Sequence, residues 1–520
     1  MGDTDLCPYD MATFGSMCTP LLWPAVRRAQ YAGDLRLPGM LHAAILRPPA
    51  HGATLKSADT SAAEKLPGVR VIRDHGMIAV LHEHPDLARE ALEKIKAEFD
   101  RPAGGPDDRT IYDHIRKTGP QPRVVRESGD LAEGARLAGK VIEQTYRNSY
   151  AAHAPIETHS ATAQIENGKV TVWASSQAPF QVKSAVASAL QVAPENVRVI
   201  SRYVGGGFGG KTEADQGVEA ALLAKAAGRP VQVVYSRREE FFYDRFRPAA
   251  VVKIRAGVAN GKIVLWDSQV VGAGDREANP FYDIAHQRTT SAGGWQGGNP
   301  PEMHPFRVGA WRAPSVISNT FARECHIDLL AAAAGIDPLQ FRLNNLTHAR
   351  MRRTLETAAK AFGWKPAGRG FGMACGIYSN ACNATFAEVA VDRATGNVAV
   401  KRVVMALDVG MVVNPDGLRQ QGEGCIVMGL GSALAEEVRF RNGEVLDRSF
   451  DTYRIPRFSW LPKIEVVFVE NRETPALGGG EPPVIAIGPA IANAIYDAVG
   501  ARLLDLPMTP DRVKAALSRG

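Results

Sequence analysis

Four short stretches of this 520-residue chain hold residue types that could do chemistry. In the first, residues 204–213 read VGGGFGGKTE, and Gly205, Gly210, Lys211 and Thr212 satisfy the G-x-x-x-x-G-K-[ST] spacing of a phosphate loop. Such a loop offers backbone amides to an anion and a lysine to the terminal phosphates. A nucleotide hydrolase also needs an acid that holds the metal. The best candidate, Asp408, lies far downstream at the end of VVMALD, and Phe208 is out of place in a phosphate cradle. The plainer alternative is a tight turn that lets a strand and a helix pack closely. In the second stretch, GAWRAPS at 309–315, Arg312 could pair with an anion or simply cap a loop. In the third, RQQGEGCIVMGLG, Gln421 stands beside Gly422, and an amide there is both donor and acceptor toward a heterocycle. Its other reading is a helix start packed through glycines. In the fourth, GGGEPPVIAIGPAIANAIYDAVG, Glu481 follows Gly480 and precedes two prolines. A carboxylate fixed in a stiff, apolar setting suits a general base, against the alternative of a solvated glutamate in a turn. The histidines, His153 and His159 among them, show no metal-ligand spacing and read as ordinary core or surface residues.

These residues need a scaffold, and the chain is long enough for two to four domains. Hydrophobic content is 45%, charged content 22% and net charge +6, an ordinary globular composition that predicts neither a nucleic-acid nor a membrane partner. No apolar run is long enough to span a bilayer. The six cysteines are scattered and none forms C-x-x-C, so neither an iron–sulfur cluster nor a zinc site is expected within the chain. Reduced thiols and a start without a basic-then-apolar leader predict a cytoplasmic location. Strand patterns at 197–204 and a helical pattern at 214–227 flank the glycine loop. Residues 87–99 read as a helix, 109–138 as a polar linker, and 250–273 as a hairpin turning at Asn260-Gly261. A helix covers 321–335, strands cover 384–391 and 398–408, and another helix lies near 420–436. Helix and strand signals are mixed rather than alternating, which predicts an α+β fold.

Taken together the four stretches resemble one family. GGGFGGK before a helix, WRAPS before FARECHIDLLA, DVGMVVNPDGLRQQGEG, and GGGEPPVIAIGPAIANAIYDA occur in the order seen in the molybdopterin-binding large subunits of the xanthine dehydrogenase/aldehyde oxidase family. LRLPGMLHAAILRPPAHGATLKSADTSAAEKLPGV resembles that family's α/β hammerhead domain. MGDTDLCPYDMATFGSMCTP resembles a cofactor-binding segment that comes late in xanthine dehydrogenases and here comes first. That permuted order is similar to the β subunit of isoquinoline 1-oxidoreductase. The resemblance implies four segments: a permuted cofactor segment (1–28), a hammerhead domain (29–138), and molybdopterin-binding domains at 139–348 and 349–520.

It also implies roles. Glu481 matches the catalytic base, which activates a metal-bound hydroxyl, and Arg312 matches the active-site arginine. Gly206, Gly207, Phe208, Gly209 and Gly480 match backbone lying against the cofactor, while Thr13, Gly15, Ser16 and Gln421 match positions that hold the pterin dinucleotide. Lys211 is peripheral in this reading. The implied activity is hydroxylation of an aldehyde or N-heteroaromatic compound with water-derived oxygen. The implied cofactor is molybdopterin with molybdenum, in the cytosine dinucleotide form. Electrons would leave through a small [2Fe–2S] partner subunit to an acceptor protein or a flavin or cytochrome subunit. Members also carry a GQG segment ahead of the MGDT-like stretch and a longer run before the hammerhead domain. The chain is therefore expected to be a shortened member: either another chain supplies the missing pieces, the active site is reduced, or the gene is truncated. Two alternatives stand beside this one: a phosphate-loop nucleotide hydrolase, and a catalytically incompetent family member that serves as a binding or assembly module.

Overall fold

The computed structural model describes residues 30–365 and 369–519. Alternating β-branched and small residues build a seven-stranded sheet, in the order Val197–Ser201, Lys169–Ala174, Ser160–Glu166, Val231–Val234, Leu41–Ile45, Met77–His82 and Arg70–Asp74. Val170, Val172, Ala174, Val197 and Val199 point into one core, which helices Pro179–Leu190 and Asp215–Ala227 cover. Leu41–Ile45 pairs in parallel with Val231–Val234. One sheet thus runs across the boundary between the hammerhead segment and the segment after it.

A six-stranded sheet follows, ordered Asp505–Leu506, Lys140–Asn148, Ala250–Ala259, Lys262–Val271, His286–Ala292 and Arg123–Ser128. Helix Val316–Ala334 packs on it. A four-stranded sheet, Phe371–Tyr378, Ala381–Val391, Val398–Asp408 and Lys463–Phe468, is covered by Ala349–Phe362 and Ile487–Val499. At Gly372 a side chain would strike the backbone of Ala490 and Ala494, so the last of these helices sits directly on the strand. The six- and four-stranded sheets share one large core. The apolar window Pro482–Val499 is 72% buried in that core, which makes it an interior helix.

The fold is α+β. The hairpin at Asn260-Gly261 forms as read, with φ of 49° and 73° at its two central residues, the left-handed pair that such a turn requires. Two local readings are corrected. The pattern at 87–99 splits into a helix, Pro85–Glu93, and a strand, Lys96–Asp100, because KAEFD alternates and pairs with Thr54–Asp59. The linker-like stretch 109–138 holds helix Ile111–Thr118, strand Arg123–Ser128 and helix Leu131–Leu137. Its strand lies at the edge of the six-stranded sheet, where exposed polar residues are tolerated.

Candidate active site

Four separated segments converge. The glycine loop leaves strand Val197–Ser201 and enters helix Asp215–Ala227. The segment around Arg312 precedes helix Val316–Ala334. Gln421 lies on helix Pro415–Leu434, and Glu481 ends a glycine run before the short turn Pro482–Val484. The Arg312 backbone N–H donates to the Phe208 carbonyl at 2.9 Å, which ties the first two loops together. The Arg312 guanidinium donates through Nε to the Gly480 carbonyl and through Nη2 to Gln421 Oε1, each at 2.7 Å. The Ala313 N–H donates to Glu481 Oε1 at 3.0 Å. The Tyr378 hydroxyl donates to Glu481 Oε2 at 3.5 Å. Burial raises the Tyr378 hydroxyl above its ordinary range and the Glu481 charge adds to this, against Arg276, so the phenol stays protonated and remains a donor.

The backbone here is strained. Phe208, Ala313 and Ser315 hold φ of 55°, 60° and 70°, in the left-handed region that side chains disfavour. Such conformations persist only where the surroundings over-determine them, and two histidines that sequence reading set aside supply much of that constraint. His153 Nδ1 bonds Asp244 Oδ1 at 2.6 Å, while its Nε2 reaches the Ala310 carbonyl at 2.7 Å. His159 Nδ1 bonds Glu240 at 2.9 Å, and its Nε2 reaches the Gly210 carbonyl at 3.2 Å. Each imidazole therefore clamps a loop carbonyl to a carboxylate. Burial alone would lower His159, but Glu240 outweighs it and raises the group; burial alone would raise Asp244, but His153 outweighs it and lowers that group. A signal was present, since Glu240 and Asp244 are spaced i,i+4, but nothing local pairs them with His153 and His159.

The phosphate-loop reading fails on geometry. Lys211 has no side-chain exposure and donates from Nζ to Glu157 Oε2 at 2.8 Å. The same carboxylate oxygen accepts the Gly205 N–H at 2.7 Å. The lysine is neither a phosphate ligand nor peripheral: it is a buried brace under the loop. Asp408 is bound by Arg350 and Asn471. Burial would raise it, but those bonds hold its carboxyl down to about 2, so it serves as an ion-pair centre.

Two family models, each described as a molybdopterin cofactor-binding domain, match residues 116–289 and 333–462, together more than half of the chain. A nicotinate dehydrogenase chain of Pseudomonas putida is 33% identical over 94% of this chain and 45% of its own length. The isoquinoline 1-oxidoreductase β chain of Brevundimonas diminuta is 31% identical over 93% of this chain and 66% of its own. The chain belongs to the molybdopterin-binding subunits of the xanthine dehydrogenase/aldehyde oxidase family. It spans less than two thirds of the length of either relative. The solved structure of quinoline 2-oxidoreductase from Pseudomonas putida 86 shares the fold, with a TM-score of 0.83 over 97% of this chain and 98% of that one, at 16% identity.

The residues of this molybdopterin-binding protein fit such a cofactor. Gly207 is buried, and among the described residues its N–H has no acceptor; the N–H groups of Gly206 and Phe208 have none either. Unpaired amides in a turn form an anion cradle. Gln421 gives its oxygen to Arg312, which leaves the Nε2 donors without a protein acceptor among the described residues. At Gly209 a side chain would strike the Ala310 carbonyl, so the two loops touch backbone to backbone. Thr13, Gly15 and Ser16 lie outside the described residues.

Proposed function

We propose that the chain is the cofactor-carrying subunit of a molybdenum hydroxylase. It would insert water-derived oxygen into an aldehyde or an N-heteroaromatic ring and pass electrons to a small [2Fe–2S] partner subunit, which hands them to an acceptor protein or a flavin or cytochrome subunit. The observation that carries this reading is the convergence of Phe208, Arg312, Gln421 and Glu481 from four separated segments. Relatives named for nicotinate and isoquinoline favour N-heterocycles within that substrate class.

When bound, the molybdenum cofactor supplies the oxygen transfer and takes up the two electrons. Glu481 and Arg312 are the proposed catalytic residues. Glu481 accepts the proton at Oε2, while the Ala313 N–H holds Oε1 and stops the carboxylate turning. Tyr378, beside Oε2, donates to the charged form. Arg312 orients Gln421 so that its amide donors meet the cofactor, and it fixes Gly480 just before the base. Gly206, Gly207 and Phe208 provide the amides of the backbone cradle, while the Gly209 N–H is taken by Gln177 Oε1 at 3.0 Å and Gly209 serves by letting the loops touch. Thr13, Gly15 and Ser16 would hold the dinucleotide, in its cytosine form. The location would be cytoplasmic. The division at 28, 138 and 348 marks sequence segments; the shared seven-stranded sheet joins the second to the third.

Glu481→Gln tests the assignment. Gln is nearly isosteric and keeps an oxygen for the Ala313 N–H, but it cannot take the proton. Turnover of the complex should fall about 10²–10⁴-fold at unchanged molybdenum content, the usual cost of removing a general base. The loss should appear in kcat as well as kcat/KM. Near-normal turnover at normal molybdenum content would remove Glu481 from the mechanism.

A further inference from the structure

Among the described residues, a half-buried arginine beside the candidate base forms no direct ion pair with a carboxylate. Arg276 lies in the segment between strands Lys262–Val271 and His286–Ala292. Its carbonyl accepts from Nδ2 of the buried Asn319 at 2.9 Å, and the same nitrogen donates to the Gly274 carbonyl at 3.1 Å. The segment is thereby fixed to the first turn of helix Val316–Ala334. The guanidinium lies 5.2 Å from the ring centre of Trp295 and 5.8 Å from that of Tyr378. Among the described residues it makes one hydrogen bond, from Nη1 to the Tyr378 hydroxyl at 2.9 Å. That hydroxyl also contacts Glu481 Oε2. Trp295 is held in turn by its Nε1 donating to Ser315 Oγ at 3.1 Å.

Of the neighbouring acids, Asp275 is engaged by Arg123, and Glu277 feels the charges of Arg323 and Arg276 without a hydrogen bond to Arg276 among the described residues. By contrast Arg342, Arg350 and Arg502 each meet a carboxylate. Glu277 and Glu481 lie near enough to share its charge without bonding it directly, and a planar fork whose remaining N–H groups meet no acceptor among the described residues is the geometry that binds a carboxylate through two parallel bonds. The two rings pack near its π-surface, as in cation–π pairs. A single phenol hydroxyl separates this cation from the proposed proton acceptor.

We propose that Arg276, flanked by Trp295 and Tyr378, is the specificity-determining residue for substrate and binds a carboxylate carried on an aromatic ring. The enzyme's substrates are accordingly aromatic carboxylates, with the reactive carbon on or attached to the ring. This rests on the reading of Glu481 as the catalytic base.

Two readouts test it on the chain purified with its small partner. In calorimetric titration, benzoate should bind at least about tenfold more tightly than its neutral isostere benzamide, since a charge-assisted hydrogen bond is worth roughly that factor or more. Arg276→Gln should abolish the preference, and Arg276→Lys should keep part of it. In turnover, the ratio of kcat/KM for meta-carboxybenzaldehyde over benzaldehyde should fall at least about tenfold in Arg276→Gln, with the change mainly in KM. Equal binding of benzoate and benzamide by the wild type, or a preference untouched in Arg276→Gln with unchanged melting, overturns the proposal. The failures are separable. A complex that oxidises neither aldehyde and no N-heteroaromatic compound defeats the hydroxylase reading, while the titration still decides the anion site. A complex that oxidises benzaldehyde with no carboxylate preference defeats only the anion site.

Discussion

Lys211 shows how a residue can match a motif and yet do something else. The sequence offers a lysine at the phosphate-loop position, and the pterin reading treats it as peripheral. Its meaning depends on Glu157, fifty-four positions away and invisible to local pattern. Lys211→Met should destabilise the chain by about 3–5 kcal/mol, because it leaves the half-buried Glu157 carboxylate unpaired. The companion change Glu157→Gln should recover part of that in a denaturant melt. A wild-type chain that binds ATP, and loses it with Lys211, would contradict this. Glu436 gives a pH prediction at the same scale. Burial raises its carboxyl from the ordinary 4.5 to about 7, against the Tyr453 hydroxyl and Arg247. The folded state therefore prefers the proton, so this group begins to cost stability as pH rises through 4.5, and the cost is complete above about 7. Glu436→Gln should be more stable than wild type above pH 7, with the gap closing below 4.5; a gap that does not move with pH would refute the assignment. Glu481, Arg312 and Gln421 stood out as candidates because glycines and prolines surround them, and the structure brings them together with Phe208; their roles came from the family resemblance. His153 and His159 did not stand out, since their work lies in long-range pairing.

The elements matter through how closely they bring the loops. Helix Arg237–Tyr243 and the residue after it present Glu240 and Asp244 one turn apart, and each holds one histidine clamp. Those clamps close the glycine loop against the segment carrying Arg312. Gly209 is the point of contact, so Gly209→Ala must push the Ala310 carbonyl away, and its φ of 113° adds strain. The variant should fold but lose most of its molybdenum. Gly424→Ala, on the exposed face of helix Pro415–Leu434 with nothing near its Cβ, should keep the metal and gain up to about 1 kcal/mol from helix propensity. Equal metal content in the two variants would show that the loop contact does not shape the cofactor site. Most elements were readable from period and turn chemistry, as at Asn260-Gly261. The segment 109–138 was not, because an edge strand and two short amphipathic helices expose as many polar residues as a linker does.

At the scale of the whole molecule, three large sheets with two cores, one under the seven-stranded sheet and one shared by the other two, bring residues from positions 208 to 481 to a single place. No local pattern predicts that one sheet would join the hammerhead segment to the next, since a parallel pairing such as Leu41–Ile45 with Val231–Val234 is set by tertiary packing. The order of the four motifs pointed to the family, and the structure shows that the four stretches converge. The measurement that bears most directly on the account is metal and pterin analysis of the chain co-expressed with its small partner, in a host that makes and delivers the cofactor. The account predicts molybdenum at a substantial fraction of one atom per complex, together with pterin. A folded complex that emerges free of both would contradict it.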